Sequence, residues 1–289
     1  MTVDAHVHAF TARDATNPRA TSEVFPPERA EPIEQLLAES FAHQVSAVVL
    51  VALAGQEQYV IEACQTNPGR VFSVMTLEGR SVWPSPATLD QWRASGVLGL
   101  RLLDLSQADT LAGDPVALDY RLDQMAEAGM LLSVYLPEAQ LPRLETLATR
   151  HPGLRLVLNH SGCPCGSARV DRWRRPQMTI DWHAPWRTQT LQLSRFANVC
   201  VCLSGAYAFD LSGPPYREAN TWAGELIGAF GAERLAVGTD APWIQAEPGY
   251  SVELQAFTPA LAQLPASEHQ LVLAASAMGL TTSDGQEQT

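Results

Sequence analysis

Short apolar, β-branched runs recur along the chain at residues 2–9, 46–53, 71–77, 98–105, 130–136, 154–160, 199–205 and 235–240. Each has the length of a strand and is apolar at most consecutive positions, the pattern of strands buried on both faces. Between them lie helical patterns at 56–66, 87–95, 115–128, 140–150 and 217–230. These end at Asn67-Pro68-Gly69, Gly96, Gly129, His151-Pro152-Gly153 and Gly231, and the third begins at Asp114-Pro115, a cap followed by proline. Eight strands alternating with helices require parallel pairing. The count predicts the α/β class and a single (β/α)8 TIM barrel over residues 1–280, with functional groups at the C-terminal strand ends. The alternative, an open doubly wound nucleotide-binding sheet, calls for a G-x-G-x-x-G turn after the first strand, where the chain reads His8-Ala9-Phe10. Long loops at 10–31 and 161–188 follow the first and sixth strands and should cover the barrel mouth. Residues 281–289 are polar and are expected to form a disordered tail.

Composition narrows the chemistry. The 289 residues carry a formal net charge of −12, so nucleic acid and anionic membrane are not expected partners and a small-molecule substrate is. The sequence leaves the oligomeric state open. All 19 basic residues are arginine. The absence of lysine excludes Schiff-base catalysis, a Walker-A phosphate loop and a metal pair bridged by a carbamylated lysine. Five cysteines make an odd count, no run of 18 apolar residues occurs, and the start MTVDAHVHAF lacks the form of a signal peptide. A reduced, cytoplasmic protein is expected.

Alternation along the first strand places Asp4, His6 and His8 on one face, with Asp4 deeper and structural in role. Histidines at i and i+2 near a strand end can converge on one ion or one substrate oxygen. The last strand ends in Asp240, beside the first strand in a closed barrel, and the sixth ends at His160. Arg101 lies inside the apolar fourth strand, a permanent cation suited either to a substrate carboxylate or to a buried ion pair. The pairs Cys163/Cys165 and Cys200/Cys202 are spaced C-x-C rather than C-x2-C, so small apolar packing is the better reading than a four-thiolate zinc site. Trp173, Trp182, His183 and Trp186 could line a pocket or pack the loop after the sixth strand.

Taken in order, DAHVHAF (4–10), GLRLLDL (99–105), VLNHSGCP (157–164), LSGAYA (203–208) and ERLAVGTDAPW (233–243) resemble the amidohydrolase superfamily. The similarity is to its amidohydrolase-2 group, which includes pyrone-dicarboxylate and sugar lactonases. The resemblance implies a distorted (β/α)8 barrel and hydrolysis, with decarboxylation in neighbouring groups. It departs from the metal-dependent members at the fifth strand, where Tyr135 stands in place of a histidine ligand. His6, His8 and Asp240 could still hold a single divalent cation such as zinc, with His160 as a fourth ligand; an obligatory metal is not expected.

The leading expectation is a lactone hydrolase. Asp240 would act as general base on water, His6, His8 and His160 would polarise the carbonyl as imidazolium donors, and Arg101 and Tyr135 would orient substrate oxygens. The alternatives are a mononuclear metal-dependent amidohydrolase or decarboxylase built on His6, His8 and Asp240, and a barrel that only binds.

Overall fold

A computed structural model describes residues 1–113, 115–166 and 168–280. The Asp114 cap and the tail at 281–289 fall outside the described residues. Among the described residues ten strands form: β1 (Val3–Val7), β2 (Ala47–Val51), β3 (Val71–Thr76), β4 (Val97–Leu102), β5 (Leu131–Val134), β6 (Arg155–Leu158), β7 (Ala168–Val170), β8 (Pro176–Met178), β9 (Val199–Ser204) and β10 (Leu235–Gly238). Eight of them pair in parallel in the order β1-β2-β3-β4-β5-β6-β9-β10. The ring is joined by a bridge from Val7 to Ala241 and by two backbone bonds, His8 N–H to Ala241 O (2.7 Å) and Asp240 N–H to His6 O (2.8 Å). This is the (β/α)8 barrel that the alternation predicts.

The helical stretches fall within a residue or so of their predicted bounds: Glu57–Thr66, Pro86–Ala94, Pro115–Glu127, Leu141–Arg150 and Arg217–Phe230. Glycine follows each of these helices closely and ends the helical hydrogen bonding, and proline fixes the first turn of three of them, at Pro86, Pro115 and Pro142. Inside the barrel, side chains are small: Val3, Ala5, Val49, Val157, Cys200, Cys202 and Ala236 form one buried layer, plugged at the N-terminal end by Ala277 and Met278. Cys200 and Cys202 are therefore packing residues, and all five cysteines are free.

One expected face does not hold. The register of β1 on β2 shifts between Asp4 and Val7, so strict alternation is lost there. Val3 and Ala5 pack inside the barrel, while Asp4 turns to Thr239 and Tyr250 and His6 turns to Asp240. Asp4 keeps the structural role expected of it, on a different face from the histidines.

Both long loops are ordered by buried cations. Arg19 is fully buried and donates to the carbonyls of Thr11 (2.9 Å), Phe25 (3.1 Å), Pro26 (2.9 Å) and Arg29 (2.6 Å), which folds residues 10–31 around one guanidinium. In the second loop Arg175 is held by Asp171 (2.7 Å) and by the carbonyl of Glu247, next to the β7–β8 ribbon. Trp186 is buried against Trp222, with ring centroids 5.2 Å apart, and Trp182 packs on Trp186. His183 is exposed, so this aromatic set packs the loop rather than a pocket.

Candidate active site

His6 ends the inward-facing part of β1, His8 follows it, Asp240 follows β10, and His160 follows β6. The closing sheet brings the first three together. His6 Nε2 lies 3.6 Å and His8 Nε2 3.4 Å from Asp240 Oδ1, with all three groups nearly excluded from solvent. The approach of β1 to β10 depends on Gly238: a Cβ there would sit 2.7 Å from the backbone nitrogen of His6. Asp4 ties the same strands, accepting the N–H (2.9 Å) and hydroxyl (2.6 Å) of Thr239 and the hydroxyl of Tyr250 (2.8 Å). Burial raises the Asp4 carboxyl to about 6, against the pull of these donors, so it is ionised at neutral pH.

Asp240 and His160 both occupy left-handed backbone, with φ of 59° and 52°. Such a conformation costs a non-glycine residue about 1–3 kcal/mol and is found where surrounding structure enforces it. Here it aims both side chains across the barrel mouth. Gly205 makes room for His160, since a Cβ there would meet Nδ1 at 3.0 Å.

The hydrogen bonds set the protonation states. His8 Nδ1 lies 2.8 Å from the carbonyl of Val51, so Nδ1 donates there and Nε2 is turned toward Asp240. His6 Nε2 is buried with no hydrogen-bond partner. Burial, reinforced by the charges of His160, His8 and Arg101, holds His6 well below the usual histidine range, and burial lowers His160 to about 4. Both rings are neutral at pH 7, where imidazolium was expected. The Ser204 hydroxyl lies 3.2 Å from His160 Nδ1; donating there leaves Nε2–H as the donor toward the cavity. Burial opposes the charge on Asp240, but His8, His160 and the Tyr207 hydroxyl (2.8 Å to Oδ2) outweigh it and keep the carboxyl below its ordinary value.

Above these groups opens a cavity of about 290 Å3, whose wall includes His8, Arg101, Tyr135, His160 and Asp240. His6 lies beneath it and does not line it. Arg101 is about nine-tenths buried, and its guanidinium has no hydrogen bond and no ion pair among the described residues. The alternative of a structural ion pair is therefore not what the fold builds. A larger recess of about 610 Å3 sits at the N-terminal strand ends; among the described residues its wall holds Arg93 and Arg155 but no histidine, carboxylate or hydroxyl.

Metal-ligand geometry is confined to one place among the described residues: His6, His8 and Asp240, whose donor atoms lie within 4.8 Å of one another. His160 and the cysteines are not part of it. Sequence reasoning missed Tyr207, which holds Asp240, and Glu253, which accepts the Tyr207 N–H (3.2 Å) and the Tyr216 hydroxyl (2.9 Å). Tyr207 lies in the LSGAYA stretch that was visible as a motif; Glu253 had no local signal.

The amidohydrolase family Amidohydro_2 matches residues 3–278. An L-fucono-1,5-lactonase from Burkholderia ambifaria is 26% identical over 251 residues, 83% of this chain and 80% of its own. The structure of a Pseudomonas putida protein, described as a candidate 2-pyrone-4,6-dicarboxylic acid hydrolase, superimposes with a TM-score of 0.73. It is 26% identical and covers 96% of both chains. An amidohydrolase from Burkholderia multivorans solved with bound zinc, 19% identical, shares the fold with a TM-score of 0.72 over 97% of this chain and 100% of its own. No helix among the described residues is long and apolar enough to cross a membrane. The chain belongs to the amidohydrolase-2 family and is a hydrolase, with relatives that are lactonase-like.

Proposed function

We propose that the protein hydrolyses a small lactone. The observation that carries this reading is the pairing of an ionised, buried Asp240 with an unpaired Arg101 guanidinium and a neutral His160 on the wall of one small cavity. His6 Nε2, His8 Nε2 and Asp240 Oδ1 converge on one point, and His6 Nε2 is left without a hydrogen-bond partner. A water entering there donates to two of them and presents its lone pair to a carbonyl above. Asp240 takes a proton as the water oxygen bonds the carbonyl carbon. The His160 N–H and the Tyr135 hydroxyl stabilise the oxyanion, each such donor being worth about 2.7–4 kcal/mol in related chemistry. The acyl carbon–oxygen bond of the ring then breaks, and the proton returns from Asp240 to the ring oxygen, leaving a hydroxy acid.

The same three groups favour a second reading. His8 has its Nδ1 donated to a backbone carbonyl and His6 has an orphaned Nε2, the donor arrangement that suits one divalent cation such as zinc. A bound cation would polarise the carbonyl and lower the pKa of its water. The two readings separate in one experiment: lactone turnover measured on the same sample before and after chelation, alongside metal analysis. Turnover should survive chelation. Stoichiometric metal, with activity lost on stripping and restored by zinc, would put the cation at the centre, and no turnover of any lactone would remove the first reading.

The pH dependence follows from the protonation states. Asp240 lies below its ordinary value, so the base form is present above it and is lost as pH falls. His160 is neutral above about 4. The rate kcat/KM should be level from roughly pH 6 to 8 and fall only as pH drops toward about 4. An acid limb centred near pH 6.5, the value of an ordinary histidine, would contradict this assignment.

A further inference from the structure

The cavity wall has two chemistries. Around the reacting groups it is polar, and beyond them it is formed by Val24, Phe25, Leu53, Met178, Phe209 and Trp243. Phe25 and Trp243 face each other at 5.9 Å, and Trp243 stands 5.7 Å from the His8 ring. Phe209 closes the other side, 5.6 Å from His160 and 6.4 Å from Tyr135. This apolar surface is built in: the hydrogen bonds of buried Arg19 fix the loop that carries Phe25, and Arg29 caps Trp243 at 5.0 Å.

Such a wall discriminates between kinds of ring. A sugar lactone carries several hydroxyls, and each one pressed against carbon loses its water without replacement, at a cost of about tenfold or more in affinity. A flat, unsaturated ring has no such hydroxyls and packs offset against aromatic faces.

The charges discriminate as well. Among the described residues lining the cavity, Arg101 is the one arginine, while Glu78 stands exposed at the rim and Asp240 lies inside. The nearby Arg175 is already occupied by the Asp171 carboxylate and the Glu247 backbone carbonyl. One substrate carboxylate finds a partner in Arg101; a second would face Glu78 or Asp240 with no cation left.

We infer that the substrate is a planar, sparsely hydroxylated lactone bearing a single carboxylate, with that carboxylate on Arg101 and the ring against Phe25 and Trp243. The inference rests on the lactonase reading of the same site. It also sets this chain apart from both a neutral sugar lactone and a dicarboxylate. The test uses the full-length protein and four compounds: a butenolide or pyrone monocarboxylate, its neutral methyl ester, a pyrone dicarboxylate and an aldonolactone. The monocarboxylate should exceed the aldonolactone and the dicarboxylate in kcat/KM by about 100-fold. Arg101→Gln should raise KM for the acid by about 10- to 100-fold, with a melting temperature close to wild type reporting that the variant is folded. Titration calorimetry with furan-2-carboxylate supplies a readout that needs no turnover. Faster hydrolysis of the aldonolactone or the dicarboxylate overturns the ligand class and leaves lactone hydrolysis standing. Arg101-dependent binding of furan-2-carboxylate with no lactone hydrolysed overturns the reaction and supports the ligand class. Neither binding nor turnover overturns both.

Discussion

Asp240→Asn is expected to lower kcat for lactone hydrolysis by about 10²–10⁴-fold while changing KM little. The substitution preserves shape in a site with little room, since Asp240 is only 5% exposed. The amide oxygen can still accept the Tyr207 hydroxyl, now 2.8 Å from Oδ2. The amide NH2 can donate to the facing nitrogens of His6 and His8, which at present meet Oδ1 at 3.6 and 3.4 Å. The fold should therefore survive while the base is removed. A variant with near wild-type kcat would show that another group takes the proton. A variant that loses binding as strongly as turnover would give Asp240 a role in holding substrate instead.

The largest effect on stability is expected at Asp4. Its carboxylate accepts the Thr239 N–H, the Thr239 hydroxyl and the Tyr250 hydroxyl at 2.6–2.9 Å, in a place sealed from solvent. Asp4→Ala strands these donors, at about 1–3 kcal/mol each before relaxation. Against a total stability of about 5–15 kcal/mol, that is a large fraction. Calorimetry should show a Tm lowered by on the order of 10 °C, with Asp4→Asn falling between the two because its amide keeps one acceptor. Activity per folded molecule should fall too, because Thr239 and Asp240 are neighbours and move together. A Tm within about 2 °C of wild type would mean that water or other groups satisfy the donors as well as the carboxylate does.

Where local sequence determines structure, the chain could be read directly. All eight barrel strands lie where apolar runs occur, because parallel strands must be buried on both faces. Helix ends follow glycine and proline. His6, His8, His160 and Asp240 converge because each ends a strand in a ring whose order is fixed by connectivity. What escaped reading depends on partners distant in sequence. The shift between Asp4 and Val7 comes from pairing with β2 and from Thr239, so alternation on β1 alone misassigned the face of Asp4. Helix Ile33–Ala42 lies in a stretch given no assignment, while the β7–β8 ribbon and the start of helix Trp186–Gln192 lie in the segment read as a loop, since their support is tertiary packing. The neutral state of His6 and His160 follows from how deeply the barrel buries them, a quantity with no local signature.

The tie between Asp4 and Thr239 spans 235 positions. A ribosome adding about 5–20 residues per second needs roughly 10–50 s between the two. During that interval the N-terminal strand, with both of its metal-capable histidines, has left the exit tunnel while the carboxylate that completes the cluster does not yet exist. An unfinished chain is thus unable to assemble the pocket, however well its early βα units have formed. Catalysis begins only when the last strand is delivered, so the closing seam ties competence to completion of synthesis.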